Sequence, residues 1–132
     1  MEVSVNVKYR PTGLRDVIPY LIVDNAGKQL EFIAIVFDAD VLDCAEGGNK
    51  KITNAIIRVG DSILEVADAN EEWQPQTATL HVYVQDVDSV YERALQAGAQ
   101  SLFSPTNRDF GERMAGVEDP LGNHWFIASS IA

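Results

Sequence analysis

One order of periodicities occurs twice in this chain, and it restricts the fold more than any single motif. Residues 16–24, "DVIPYLIVD", are dense in β-branched and apolar side chains and read as a buried strand. Residues 26–37 then place Ala26, Leu30, Ile33, Ala34 and Phe37 on one helical face, with Asp24 or Asn25 available as the cap. Phe32, Ile35 and Val36 fall off that face, so the helix needs cover on a second side, which points to a partner subunit. Residues 41–68 read as three strands, turning at Gly47–Gly48–Asn49 and at Gly60–Asp61.

A polar connector, residues 69–76, "ANEEWQPQ", separates this from the second round. "TATLHVYVQ" is again a strand. The following helix puts Val87, Val90, Tyr91 and Ala94 on one face, with a capping box available from Ser89 to Glu92 and Gly98 at its end. "QSLFS" is a short strand, and "RMAGVED" and "HWFIASS" form a hairpin across the "DPLG" turn. Strand, helix and three strands therefore recur about sixty residues apart, in pattern rather than in letters. The expected architecture is α+β: one domain of two βαβββ modules, the first over residues 14–68 and the second over 77–130, sharing one sheet. Ahead of them, "VSVNVKY" alternates Val3, Val5, Val7 and Tyr9 as a strand or an extended arm.

Charge and cysteine content narrow the functions. The formal net charge of −10 argues against binding nucleic acid or an anionic membrane surface, both of which take clustered Lys and Arg. One cysteine, Cys44, cannot form an intrachain disulfide and is expected to be a buried, inert thiol. "MEVSVNVKYRP" has no apolar signal core, which makes the cytoplasm the expected location. P-loop, G-x-G-x-x-G, G-x-S-x-G and H-E-x-x-H motifs are all absent.

Four stretches in order, "PYLIVDNAGKQLEFIAIVFDA", "IIRVGDSILEVAD", "LHVYVQDVDSVYERALQAGA" and "FGERMAGVEDPLGNHWFIAS", resemble the glyoxalase/bleomycin-resistance/extradiol-dioxygenase (vicinal oxygen chelate) superfamily. The P-Y-L-x-V opening and the G-E-R and D-P-x-G-x-x-W ending resemble its PhnB-like subgroup most. The resemblance implies that the modules' strands form a curved, cup-shaped mixed sheet around a ligand, and a homodimer in which each cup is often completed by the other subunit. Trp73 on the connector then belongs either to that interface or to its own subunit's core.

Metalloenzymes of this superfamily draw ligands from four inward-facing strand positions, which the resemblance places at Ile18, Glu65, Thr79 and Phe126. Only Glu65 is a strong ligand; isoleucine and phenylalanine offer no lone pair. His81 lies two residues beyond Thr79, so Thr79, His81 and Tyr83 share a face, as do His124 and Phe126. Trp125, between them, is expected to pack on a helix. The favoured reading is a metal-free cup lined by Glu65, Thr79, His81, Tyr83 and Phe126; of Glu112 and Arg113, whichever faces inward either clamps a polar group or, with its neighbour, pairs structurally near the dimer interface or the rim. A divalent metal held by Glu65, His81 and Glu112 or His124 is the alternative, serving a lyase, isomerase or dioxygenase reaction. Metal-free acid–base catalysis through His81 is a third, and a histidine merely satisfied within the core a fourth. The sequence leaves binding protein and enzyme both open and names no ligand.

Overall fold

The computed structural model describes residues 8–131; Val3, Val5 and Val7 of the N-terminal alternation lie outside them. The elements run β1 (Tyr20–Val23), α1 (Ala26–Phe37), β2 (Asp40–Glu46), β3 (Ile52–Val59), β4 (Ser62–Asp68), β5 (Thr79–Tyr83), α2 (Val87–Gln96), β6 (Gln100–Arg108), β7 (Glu112–Glu118) and β8 (His124–Ser130). The two βαβββ modules expected from the repeat are thus present. Their strands divide between two four-stranded mixed sheets, ordered β1-β4-β3-β2 and β5-β8-β7-β6. In each sheet a parallel pair, β1 with β4 and β5 with β8, brings the first strand back beside the last.

Local chemistry explains the boundaries. Asn25 caps α1, its side chain accepting from the Lys28 N–H. Asp86, not the expected capping box at Ser89, starts α2: its carboxylate accepts from the Ser89 N–H, which makes Ser89 the third helical residue. Strand β1 is shorter than the apolar run that announced it, because Pro19 stands just before Tyr20 and offers only a carbonyl, which accepts from the Glu65 N–H. Strand β6 extends well past "QSLFS" because irregular pairing with β7 carries it on to Arg108.

Both helices lie between the sheets. One face of sheet one (Leu21, Val23, Ala55, Ile57, Leu64, Val66) and one of sheet two (Ala115, Val117, Trp125, Ile127) join α1 and α2 in a single buried cluster. Each sheet packs on its own helix, the helices pack on each other, and strands of different modules do not meet. The second cover that α1 required therefore comes from within the chain: Phe32 and Val36 are buried, and only Ile35 of the off-face residues is exposed. Arg93 on α2 donates from Nε and Nη2 to the Val36 carbonyl at 2.9 and 2.6 Å.

A buried polar knot ties the modules together. Gln29 of α1 is fully enclosed; its amide donates to Asp119 Oδ2 and accepts from the Asn123 amide, each at 2.8 Å. Trp125 Nε1 donates to the same Asp119 oxygen at 2.9 Å, and the indole stacks on Phe37 with ring centroids 4.8 Å apart. Asp119 Oδ1 takes the Leu121 and Asn123 N–H groups, and Asn123 Oδ1 takes that of Ala78. The D-P-x-G-x-x-W motif is thus a turn whose polar side chains bind the other module, and Trp125 packs on a helix as expected.

Candidate functional site

Because the helices occupy the space between the sheets, the opposite sheet faces point outward on either side of the molecule. Ladder register settles which side chains they carry. On sheet one, Tyr20 lies beside Glu65 and Ile22 beside Ala67, with Asn54 of β3 on the same face. On sheet two, Thr79 lies beside His124, His81 beside Phe126 and Tyr83 beside Ala128. The step along the chain from Tyr20 to His81 equals that from Glu65 to Phe126, so the pairs are counterparts under the repeat.

The outer face of sheet one has a polar row and an apolar cleft. Asn54 Nδ2 donates to Glu65 Oε1 at 2.9 Å and to the Tyr20 hydroxyl at 3.2 Å. Beside this row lies a cavity of about 590 Å³. Its lining includes Ile22, Ile52, Ala67, Tyr20, Trp73 and Lys51. Trp73 is 57 % exposed, so it is not buried in its own core. A turn built by Asn70 sets its position: the Asn70 side chain accepts the Glu72 and Trp73 N–H groups at 2.9 and 2.8 Å. Asp68, also on the cavity wall, is occupied by the backbone N–H groups of Ala26 and Ile52.

The outer face of sheet two carries a carboxylate, an imidazole and a phenol. Tyr83 donates its O–H to Glu112 Oε2 at 2.6 Å, and this bond, with the nearby negative charge, raises the Tyr83 phenol above its ordinary value. His81 stacks on Tyr83 with centroids 4.7 Å apart, and its Nε2 is 3.7 Å from Glu112 Oε1, too long for a hydrogen bond. The Glu112 side chain is 17 % exposed, and its Oε1 is buried with no hydrogen-bond partner. Further along the same face, Phe126 packs on Phe103, and His124 pairs with Glu118 at 3.0 Å.

Register also decides between the adjacent Glu112 and Arg113. Glu112 turns to Tyr83 and His81. Arg113 takes the other face, where Nε and Nη2 grip the two oxygens of Asp88 at 2.7 and 2.8 Å and Nη1 donates to Asn107. The pairing pushes the Arg113 guanidinium up and holds the Asp88 carboxyl below its usual range. Arg113 is therefore committed to structure, apart from the other named residues.

The chain brings together His81, Tyr83, Glu112 and Phe126, with exposed Thr79 beside His124, but it puts Glu65 on the other sheet. Tyr20 and Asn54 were not foreseen, and Trp73 was foreseen only as an interface or core residue. Tyr20 had a readable signal, lying two residues from Ile18 on the same strand face. Asn54 gave none, because its role depends on strand pairing. Cys44 corrects another expectation: it is exposed, because β2 is an edge strand that is exposed along its whole length.

The residues do not suit a divalent ion at the four positions the resemblance indicated. Ile18 and Phe126 have no donor atom, Thr79 is a poor one, and Glu65 Oε1 is already engaged by Asn54. Glu65 and His81, proposed together for a displaced site, lie on opposite outer faces of a single chain and would meet only across two copies. Among the described residues no three His, Cys, Asp or Glu side chains converge.

Comparison with known proteins adds the family. The model of the glyoxalase/bleomycin resistance protein/dioxygenase superfamily matches residues 16–127. The chain belongs to that superfamily. It is 29 % identical over 124 residues to an uncharacterized protein of Mycobacterium bovis, covering 86 % of this chain and 82 % of that one. Among solved structures it resembles TioX from Micromonospora sp. ML1, with a TM-score of 0.72 at 20 % identity over 89 % of this chain and 98 % of the other. It also resembles a putative 3-demethylubiquinone-9 3-methyltransferase, PhnB protein, of Bacillus cereus, with a TM-score of 0.68 at 12 % identity over 88 % and 100 %. These likenesses establish the glyoxalase-like fold. No helix among the described residues is long and apolar enough to cross a membrane.

Proposed function

We propose that this superfamily member binds a small, flat, largely apolar molecule in a cup, without a metal ion, and that the cup is closed by a second copy of the chain. The observation that carries the reading is the pair of outward sheet faces. Each presents aromatic rings beside a carboxylate, Tyr20 and Trp73 with Glu65 on one, His81, Tyr83 and Phe126 with Glu112 on the other. An apolar floor with a few converging polar groups is the usual composition of a small-molecule site. Each face is open in one chain: Tyr20 is 46 % exposed and Tyr83 62 %. Apposing sheet one of one copy with sheet two of another turns two half-walls into one chamber and covers both sets of rings. The P-Y-L-x-V opening and the Bacillus cereus PhnB neighbour support a place in the PhnB-like branch.

The test uses 2-(1-naphthyl)ethanol, a neutral, flat, apolar probe, in calorimetric titration of metal-stripped protein, with sedimentation analysis on the same samples. Saturable binding by a dimer is expected, weakened about ten-fold or more in Trp73→Ala through loss of a large aromatic contact. Absence of saturable binding, or binding that requires an added divalent ion, refutes the reading.

A further inference from the structure

The least satisfied group on the outer faces is Glu112 Oε1. A carboxylate oxygen removed from water without a donor is costly, and native proteins seldom leave one so. Its sister oxygen is satisfied by the Tyr83 hydroxyl, and His81 Nε2 stops at 3.7 Å. Arg113, its neighbour in sequence, is spent on Asp88. Among the described residues no lysine or arginine forms an ion pair with Glu112. The surroundings are the stacked His81 and Tyr83 rings, whose faces attract cations. Half-open His81, with its side chain 41 % exposed, can swing aside to admit a donor.

We infer that Glu112 is the anchor for a protonated amine: the ligand's ammonium N–H donates to Oε1 while its apolar body lies along Tyr83, His81 and Phe126. This rests on the small-molecule reading above and adds its ligand class, an apolar or aromatic ammonium. Tyr83 is a positioning residue, holding the carboxylate by its other oxygen. The net charge of −10 attracts the same class from a distance but does not choose the seat.

The experiment compares two isosteres, 2-(1-naphthyl)ethylammonium and 2-(1-naphthyl)ethanol, by calorimetry. A hydrogen bond to a charged group should favour the ammonium by on the order of ten- to a hundred-fold. Glu112→Gln should abolish that preference, bringing the ammonium's affinity down to that of the alcohol. Glu92→Gln, which removes the same charge from an exposed site on α2, should preserve it. Equal affinities in the unaltered protein, or a preference that survives Glu112→Gln, overturn the inference and leave the cup standing. Failure of both probes to bind refutes the cup and the anchor together. Should Glu112→Gln not fold, Glu112→Asp decides: it keeps the charge but draws the carboxylate back by one methylene, so the ammonium preference should fall, and an undiminished preference overturns the inference.

Discussion

Replacing Gln29 by leucine should loosen the junction between the modules while leaving each module's own ladders untouched. Leucine fills nearly the same space, so the change is chiefly polar. Two buried bonds of 2.8 Å disappear, one donated to the Asp119 carboxylate and one accepted from the Asn123 amide. The carboxylate keeps Trp125 Nε1 and two backbone N–H groups, so it is weakened but not stranded. The Asn123 amide, at a position with no solvent exposure, loses the acceptor that Gln29 supplied. The bond to the charged group is worth about 1.5–3 kcal/mol and the orphaned amide about 1–3 kcal/mol, for a total of about 2.5–6 kcal/mol. Against a typical folding free energy of about 5–15 kcal/mol this is a large loss. It should lower Tm by roughly 10–20 °C in a chain of this size. Urea denaturation followed by circular dichroism and tryptophan fluorescence should show the midpoint fall with an unchanged slope. A loss below about 1 kcal/mol would refute the reasoning, because the knot would then add nothing beyond apolar packing.

A methyl group added at Gly116 would sit 2.4 Å from the Phe103 ring, so Gly116→Ala should displace Phe103 from Phe126 and cost about 1–2 kcal/mol by urea denaturation. Shortening the ring in Gly116→Ala/Phe103→Leu should recover most of that loss, and a double variant no better than the single would contradict it. The Asp88 carboxyl lies below its ordinary value in the fold, so its contribution to stability is present above that value and lost as pH falls through the lowered one. Asp88→Asn should flatten the acid limb of a Tm-against-pH curve, and an unchanged limb would count against the Arg113 pairing. The Tyr83 phenol lies above its ordinary value, so its contribution is present below 10.0 and lost as pH rises through the raised value. Phenolate absorbance should show a late-titrating component that vanishes in Tyr83→Phe; a component at or below the free-tyrosine position would be the contrary result.

The fold was legible because two periodicities alternate in an order that permits few arrangements, and the repeat sets every element of one module against its counterpart. Strand parity likewise placed Thr79, His81 and Tyr83 on one face. Parity could not say which of Glu112 and Arg113 joins them, since that depends on the register of β7 against β8 and on where Asp88 stands. Cys44 was misjudged because cysteine is usually buried, whereas edge position is a property of the sheet and not of the residue. The off-face apolar residues of α1 did signal a second cover, but periodicity cannot tell a partner subunit from the chain's own second module. Glu65 and His81 stand on different sheets of one chain, which the linear pattern does not record, so the expected cup joins them only across two copies.

The central claim is that ligand binds on the two outward sheet faces. Amide and side-chain NMR shifts on addition of 2-(1-naphthyl)ethylammonium test it most directly. The account predicts changes clustered at Tyr20, Glu65 and Trp73 and at His81, Tyr83, Glu112 and Phe126. Shifts confined to the groove between the helices, at Lys28, Arg93 and Pro120, would contradict it.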